Sequence, residues 1–318
     1  MKFKIFDSKF KSVLKIIFIG GILFSKSLLE AILAHNFTVS AIFSYDESKK
    51  HSNSDYVSFD DIAEKYNVDN FKVKNINDKE NIALMQRYQP DLILVMGWSQ
   101  IIKNDILSIP YIATIGSHPT QLPKYRGRAP IPWSILKGLK QSALTFFYMD
   151  EGIDDGDILD QQEFQISETD DATTVYSKMT LLGEKMIIEN LSALKENNAK
   201  RVKQDESQFI EYWPKRTPDD GLINWSESAN EIYRLIRATT HPYPGAFTFF
   251  NKSKLIIWKA ELSNIQQEEA IISKVKNKII VGTGDGSIIL KSVSIDDGLE
   301  VESSSIFTDN YIGKKLGR

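Results

Sequence analysis

Three short apolar runs, LKIIFIGG (14–21), VSAIFS (39–44) and DLILVMG (91–97), are separated by amphipathic segments of helical length. That alternation leaves few folds open. A strand buried on both faces reads as a continuous apolar run, and strands alternating with helices form a parallel sheet with right-handed crossovers. After the first run, Ser25 is placed to cap a helix whose apolar face includes Leu28, Leu29, Ile32 and Leu33. Gly20-Gly21 lacks the full G-x-G-x-x-G spacing, so a tight turn is expected there and not a dinucleotide loop. The pattern continues as a helix (about 58–66), a strand (about 70–73), a helix (about 78–88) and the strand at 91–97. His51 falls in a polar loop and reads as a solvated histidine.

The second half changes period. Residues 157–166 alternate enough for an edge strand, and 172–195 reads as a helix with Val175, Met179, Leu182 and Met186 as a core stripe. The polar stretch 197–207 is expected to link two domains. A helix capped by Ser226 or Ser228 follows, carrying Ile232, Leu235 and Ile236. Then come short β-branched and aromatic runs with turn residues between them, the pattern of a small antiparallel barrel. GTGDG within 282–287 is a hairpin, because a strand follows it and no helix does. The expected organisation is an N-terminal extension (1–13), a Rossmann-like α/β domain (14–205), a helix plus OB-like β-barrel domain (206–300) and a polar tail (301–318).

With no cysteine, disulfides, thioester catalysis and thiolate metal sites are excluded, and a cytoplasmic location fits. The formal net charge of −3 gives no sign of a nucleic-acid binder, so nucleic acid is not expected as a partner. No apolar run is long enough to span a membrane, and none is expected to meet one. A homodimer is left open.

The most chemically loaded stretch is Thr114 to Asp157. An apolar run (Tyr111 to Ile115) leads into His118, and a second (Ala143 to Met149) leads into the acidic loop MDEGIDDGD. Two strand ends thus deliver a histidine and a group of carboxylates, and ligands in open α/β sheets bind outside the carboxyl ends of strands. Between them lies HPTQLPKYRGRAP, with Lys124, Tyr125, Arg126 and Arg128.

HPTQLPKYRGRAPIPW and MDEGIDDGDIL resemble, nearly residue for residue, the signature of the formyltransferases that use N10-formyltetrahydrofolate. The resemblance covers most of 14 to about 295, and is densest at 118–157 and 212–247. It implies a catalytic His at His118 and Asp at Asp154; where the family has an Asn, this chain has Gly116. It implies pterin contacts from Met96, Gly97 and Trp98, and a folate loop shaped by Asp150, Glu151, Gly152 and Ile153. Trp98 is also open to a core role. Asp155 and Asp157 receive no role beyond turn formation. The formyl donor would be N10-formyltetrahydrofolate, with no metal.

The implied reaction is acyl transfer to an amine, which must lose a proton. A neutral imidazole can accept it and a carboxylate beside it can orient the ring. His118 is expected as base with Asp154 as its orienter; a protonated His118 donating to the oxyanion remains open. At Gly116 the missing side chain is expected to leave a gap admitting a water or a substrate group. Lys124, Tyr125, Arg126, Arg128, Lys215 and Arg216 are expected at the substrate, where cationic groups suit a diphosphate. RATTHPYPGAF (237–247) resembles the sugar formyltransferases, so the expected acceptor is the amine of a nucleotide-linked amino sugar for a surface glycan. The alternatives are methionyl-tRNA formyltransferase and a non-catalytic binding protein on the same fold.

Overall fold

The structure is a computed structural model that describes residues 13–50 and 53–317. Most of the expected N-terminal extension, and His51, lie outside the described residues. The chain divides into two compact units that interleave in sequence. The first holds residues up to Arg126, Ala143–Glu163 and Met179–Glu211; the second holds Gly127–Ser142, Phe164–Lys178 and Tyr212 onward.

In chain order the elements begin β1 (Lys15–Gly20), α1 (Leu23–Ala34), β2 (Thr38–Tyr45), α2 (Asp60–Tyr66), β3 (Asn70–Val73), α3 (Lys79–Tyr88), β4 (Leu92–Val95), α4 (Asn104–Leu107) and β5 (Ala113–His118). They continue with β6 (Tyr125–Gly127), α5 (Pro130–Leu136), β7 (Gln141–Tyr148), β8 (Ile158–Gln165), α6 (Ala172–Lys195) and β9 (Glu211–Trp213).

A seven-stranded sheet, in the order β3-β2-β1-β4-β5-β7-β8, is the backbone of the first unit. β3, β2, β1, β4 and β5 pair parallel throughout. Ile17, Ile19, Phe43, Ile93 and Val95 enter one apolar cluster. The alternate residues Ile16, Phe18, Ile42, Leu92 and Leu94 are fully buried as well. Both faces of the central strands are therefore covered, which is why they read as unbroken apolar runs.

Turn chemistry differs from expectation at one place. Ile22, not Ser25, is the N-cap of α1. Ser25 lies inside the first turn, where its hydroxyl accepts from the Gly21 and Ile22 amides and donates to the Ile22 carbonyl. It closes the strand-to-helix turn from within. A side chain on Gly20 would strike Ser25, and one on Gly21 would strike the Tyr45 ring, so close approach demands both glycines.

The stretch 197–207, expected as a linker, is built into the first unit. Val202 and Ile158 exchange both backbone hydrogen bonds, and Gln204 is buried. Its polar composition hid this, because backbone pairing needs no apolar side chain.

The second unit continues with α7 (Ala229–Thr239), β10 (Ala246–Phe250), β11 (Ser253–Ser263), β12 (Ile272–Val275), β13 (Lys278–Gly282), β14 (Ser287–Ile295), β15 (Val301–Glu302) and α8 (Ser303–Ile306). Ser228 caps α7 in a reciprocal box with Glu231. Ile232, Leu235 and Ile236 turn into an apolar cluster with Ile257, Ile279, Val281 and Leu290. The sheet is antiparallel, in the order β10-β11-β14-β13-β12, with β15 on β14. Of the expected barrel, the structure shows the antiparallel sheet, whose order among the described residues runs from β10 to β12. The stretch expected as a polar tail, 301–318, carries β15 and α8, and sends Phe307 and Leu316 into the core. No helix among the described residues is long and apolar enough to cross a membrane.

Phe307 is fully buried and meets the Phe250 ring edge-on at 5.3 Å. Phe307→Ala is expected to cost roughly 3–5 kcal/mol, read as a lower denaturant midpoint for the second unit. An unchanged midpoint would return 301–318 to the status of a tail.

Candidate functional site

His118 ends β5 with its side chain only 6% exposed. Its Nε2 lies 3.1 Å from the Tyr125 carbonyl. A carbonyl only accepts, so Nε2 carries a proton and donates it. Nδ1 then faces Asp154, whose Oδ2 is 3.6 Å away, beyond direct hydrogen-bond reach. The Asp154 side chain is 20% exposed, so this side of the ring borders solvent. The orienting acceptor for His118 is thus a main-chain oxygen, and Asp154 stands at the other nitrogen.

Behind the ring is a polar chain that sequence reasoning missed. Thr120 also donates to the Tyr125 carbonyl, Thr145 donates to the Thr120 carbonyl at 2.7 Å, and Gln161 donates to Thr145 at 2.9 Å. Thr120 and Thr145 are fully buried. Isolated Thr and Gln codes in a sequence carry no mark of such a chain.

The acidic loop arrives by a route the sequence did not suggest. β7 runs antiparallel to β5, with Ile115 opposite Tyr148 and His118 opposite Thr145. The Met149 amide donates to the Thr114 carbonyl, so β7 ends beside the start of β5 and not at the carboxyl end that carries His118. An apolar run reads alike in either direction, which is why periodicity could not settle it. The loop then returns along the sheet to bring Asp154 back to His118. Asp154 sits in the left-handed region (φ 54°), and Gln204 Nε2 donates to the carbonyls of Asp154 and Gly156 at 2.8 Å each.

Within the loop, Asp150 accepts from the Gly152 amide, and Asp155 packs against Gly152 and hydrogen-bonds Asp150. Burial and the Asp150 carboxyl push the Asp155 carboxyl above its ordinary range, against the opposing pull of Arg126. Asp157 pairs with Arg201 at 2.7 Å, and that guanidinium lies over the Tyr148 ring. Glu151 and Ile153 are exposed.

Gly116 opens no gap. A Cβ built there would meet Met149 Sδ at 2.9 Å and the Phe147 ring at 3.1 Å. The Met149 thioether, not water, takes the space above Gly116, and its flexible chain suits it to an irregular hole.

Met96 is fully buried, and Gly97 (φ 59°) packs so closely on Ile22 that no side chain fits. Trp98 stacks on Tyr45 with ring centres 3.8 Å apart, and packs against the sheet's apolar cluster. Its indole N–H is buried without a partner.

The expected substrate cations have different surroundings. Arg126 is buried: it grips Glu206 at 2.5 Å and 3.1 Å, donates to Gln204 and lies over the Phe209 ring. That makes it an internal tie, not an open anion site. Lys124 donates to Gln121, and Tyr125 contributes its carbonyl to His118. In the second unit Arg128 and Lys215 are exposed. Arg216 lies over Trp133 and donates to the Asp220 carbonyl, with burial lowering its pKa. Among the described residues no group of three or more His, Asp or Glu could hold a metal.

Residues 14–191 match the formyl transferase family, and 215–310 match the formyl transferase C-terminal domain. The chain is 31% identical over 314 residues to the methionyl-tRNA formyltransferase of Ruminiclostridium cellulolyticum, covering 96% of this chain and all of that one. It is 35% identical over 239 residues to the same enzyme of Pelotomaculum thermopropionicum, 73% of this chain and 75% of that one. Among solved structures it resembles WlaRD, a sugar 3N-formyl transferase, with a TM-score of 0.64 and 22% identity over 90% of this chain and 99% of that one.

The chain therefore belongs to the formyl transferase family, and is a transferase of one-carbon groups. The same relatives overturn the expectation that nucleic acid is not a partner, since full-length relatives are named for a tRNA substrate. A whole-chain charge of −3 was a poor guide, because it averages over faces that a partner meets one at a time.

Two outcomes follow from the loop. Gly116→Asn is expected to displace Met149 and cost about 1–3 kcal/mol, seen as a lower melting temperature; Met149→Ala in the same chain should recover part of it. No recovery would mean Met149 is not what fills the space. Asp155, with its folded pKa raised, contributes stability that is fully present below the unfolded carboxylate pKa and is lost as pH rises through the folded value. Asp155→Asn should accordingly raise the melting temperature more at pH 7 than at pH 4. Equal shifts at both pH values would remove the raised Asp155 pKa from the account.

Proposed function

We propose that this protein transfers a formyl group from N10-formyltetrahydrofolate to a primary amine, with His118 and Asp154 as the reacting pair. The observation that carries the reading is the division of the imidazole: Nε2–H is committed to the Tyr125 carbonyl, and Nδ1 faces Asp154 at the solvent edge. In the neutral ring Nδ1 is bare and can accept the proton that the attacking amine must shed. The new C–N bond forms as the bond from the formyl carbon to N10 breaks. The proton taken by Nδ1 returns to N10 of the leaving folate, and His118 ends as it began. While protonated, the ring is stabilised by the Asp154 carboxylate. The base and its stabiliser thus share one side, and the tautomer is held from the other.

The donor suits the residues around Trp98. Trp98, partly exposed and stacked on Tyr45, offers a flat aromatic platform that fits a heteroaromatic ring.

For the acceptor, the methionyl group of initiator tRNA is the better-supported reading. Relatives matching this chain end to end are methionyl-tRNA formyltransferases. The nucleotide-linked amino sugar is the second reading, favoured by the wording of RATTHPYPGAF and by the fold shared with sugar formyltransferases.

The purified chain would be given N10-formyltetrahydrofolate with either methionyl-tRNA or a set of nucleotide-linked amino sugars. Formyl-methionyl-tRNA is the expected product; formylation of a sugar alone would select the second reading, and neither product would end the proposal. His118→Ala and Asp154→Ala are each expected to lower kcat by about 10²–10⁴ with the fold retained. Near-normal turnover in either folded variant would remove that residue from the reaction.

A further inference from the structure

α7 carries Asn230, Tyr233, Arg234 and Arg237 at helical spacing, so the four share one side of the helix. With the turns at Gly138–Lys140 and Ile166–Glu168 they line a cavity of about 120 Å³ within the second unit. Three cationic side chains, Lys140, Arg234 and Arg237, face one carboxylate, Glu168, an excess of two positive charges. Glu168 is already taken by Lys140 at 2.8 Å on the open rim. The two guanidinium groups have no carboxylate of their own in the cavity.

Arg234 lies against Gly138, where an added Cβ would meet its Cζ at 3.4 Å, and it makes no hydrogen bond to any described residue. Arg237 donates one Nη1 bond to the Asp170 carbonyl and lies over Tyr233 at 4.8 Å. Its Nε–H is shut away from water with no partner. Two further carboxylates act on Arg237 from outside the cavity lining: Asp171 accepts from the Thr174 amide and hydroxyl, and Asp170 is committed to Lys178 at 2.6 Å. Burial lowers the Arg237 pKa, and the neighbouring Arg234 charge adds to that. A protein seldom leaves such donors unsatisfied, or gathers like charges, without something to answer them.

We propose that this cavity is a binding site for a phosphate group in its dianionic form, held by Arg234 and Arg237 with Lys140 at the rim. The dianion balances the excess charge, and its tetrahedral oxygens match the guanidinium fork. The buried Nε–H gains the acceptor it lacks. A phosphodiester link of a nucleic acid carries a single charge and would leave one cation unanswered. The ligand is therefore free phosphate or the phosphomonoester of a small molecule. The site goes beyond formyl transfer and does not rest on it, because none of these residues takes part in that reaction.

The full chain would be titrated calorimetrically with inorganic phosphate and with glycerol phosphate, at pH 5 and pH 8. Saturable binding is expected, stronger at pH 8, where the dianion predominates given a second pKa of about 6. A stronger response to the ester than to the ion would identify a phosphomonoester as the ligand, and the reverse would identify the free ion. Arg237→Gln removes the tie to Asp170 and can disturb the fold, so Arg234→Gln and Lys140→Gln are the deciding variants. Arg234→Gln should weaken binding about tenfold or more while the melting temperature without phosphate stays unchanged. Absence of saturable binding, equal affinity in both variants, or displacement by an RNA lacking terminal phosphates would each overturn the proposal.

Discussion

The buried amide of Gln204 is the interaction on which the first unit's site depends. Its nitrogen gives both hydrogens to the carbonyls of Asp154 and Gly156, and its oxygen accepts from Arg126. Three of the four bonds such a group can make are therefore spoken for. Asp154 is a non-glycine residue at positive φ, a conformation the backbone adopts at some cost and keeps only when its surroundings impose it. Gln204 is what imposes it here. Arg126, buried and gripped by Glu206, holds Gln204 in turn. The residues read from sequence as a linker and as a phosphate contact together form the clamp on the acidic loop.

His118 depends on a second framework of the same kind. Buried Thr120 and Thr145, with half-buried Gln161, form hydrogen bonds that run toward the carbonyl that holds its ring. Satisfied networks of this sort rigidify a site, whereas a partly satisfied one is costly. His118 and Asp154 are thus held in place by groups outside the pair itself.

Much of the fold was legible because burial on two faces leaves a plain mark in the code. β4 is apolar throughout, β1 is apolar from Ile16 to Ile19, β2 keeps an apolar core at 41–43, α6 spans the expected 172–195, and Ser228 is one of the two serines expected to start α7. His118 and Asp154 stood out because one opens a recognisable phrase and the other lies inside a second. What stayed hidden has physical reasons. The direction of β7 is not encoded in its apolar content. The space above Gly116 is filled by Met149, a residue from another strand end, and absence of a side chain at one position says nothing about who fills it. Ile306 and Phe307 are an isolated apolar pair in a polar stretch, too short a signal to suggest that this segment enters the core. Net charge, summed over the whole chain, pointed away from the partner class for which the relatives are named.

The main-chain oxygen of Tyr125 sets the tautomer of His118. No codon specifies that atom; every residue at 125 would supply it, provided the chain kept its path between Thr120 and Arg126. A substitution scan scoring position 125 would register the loss of a phenol and overlook the carbonyl. Inheritance of the orienting acceptor therefore rests on the turn as a shape, and drift at position 125 is tolerable to the imidazole for as long as that shape persists.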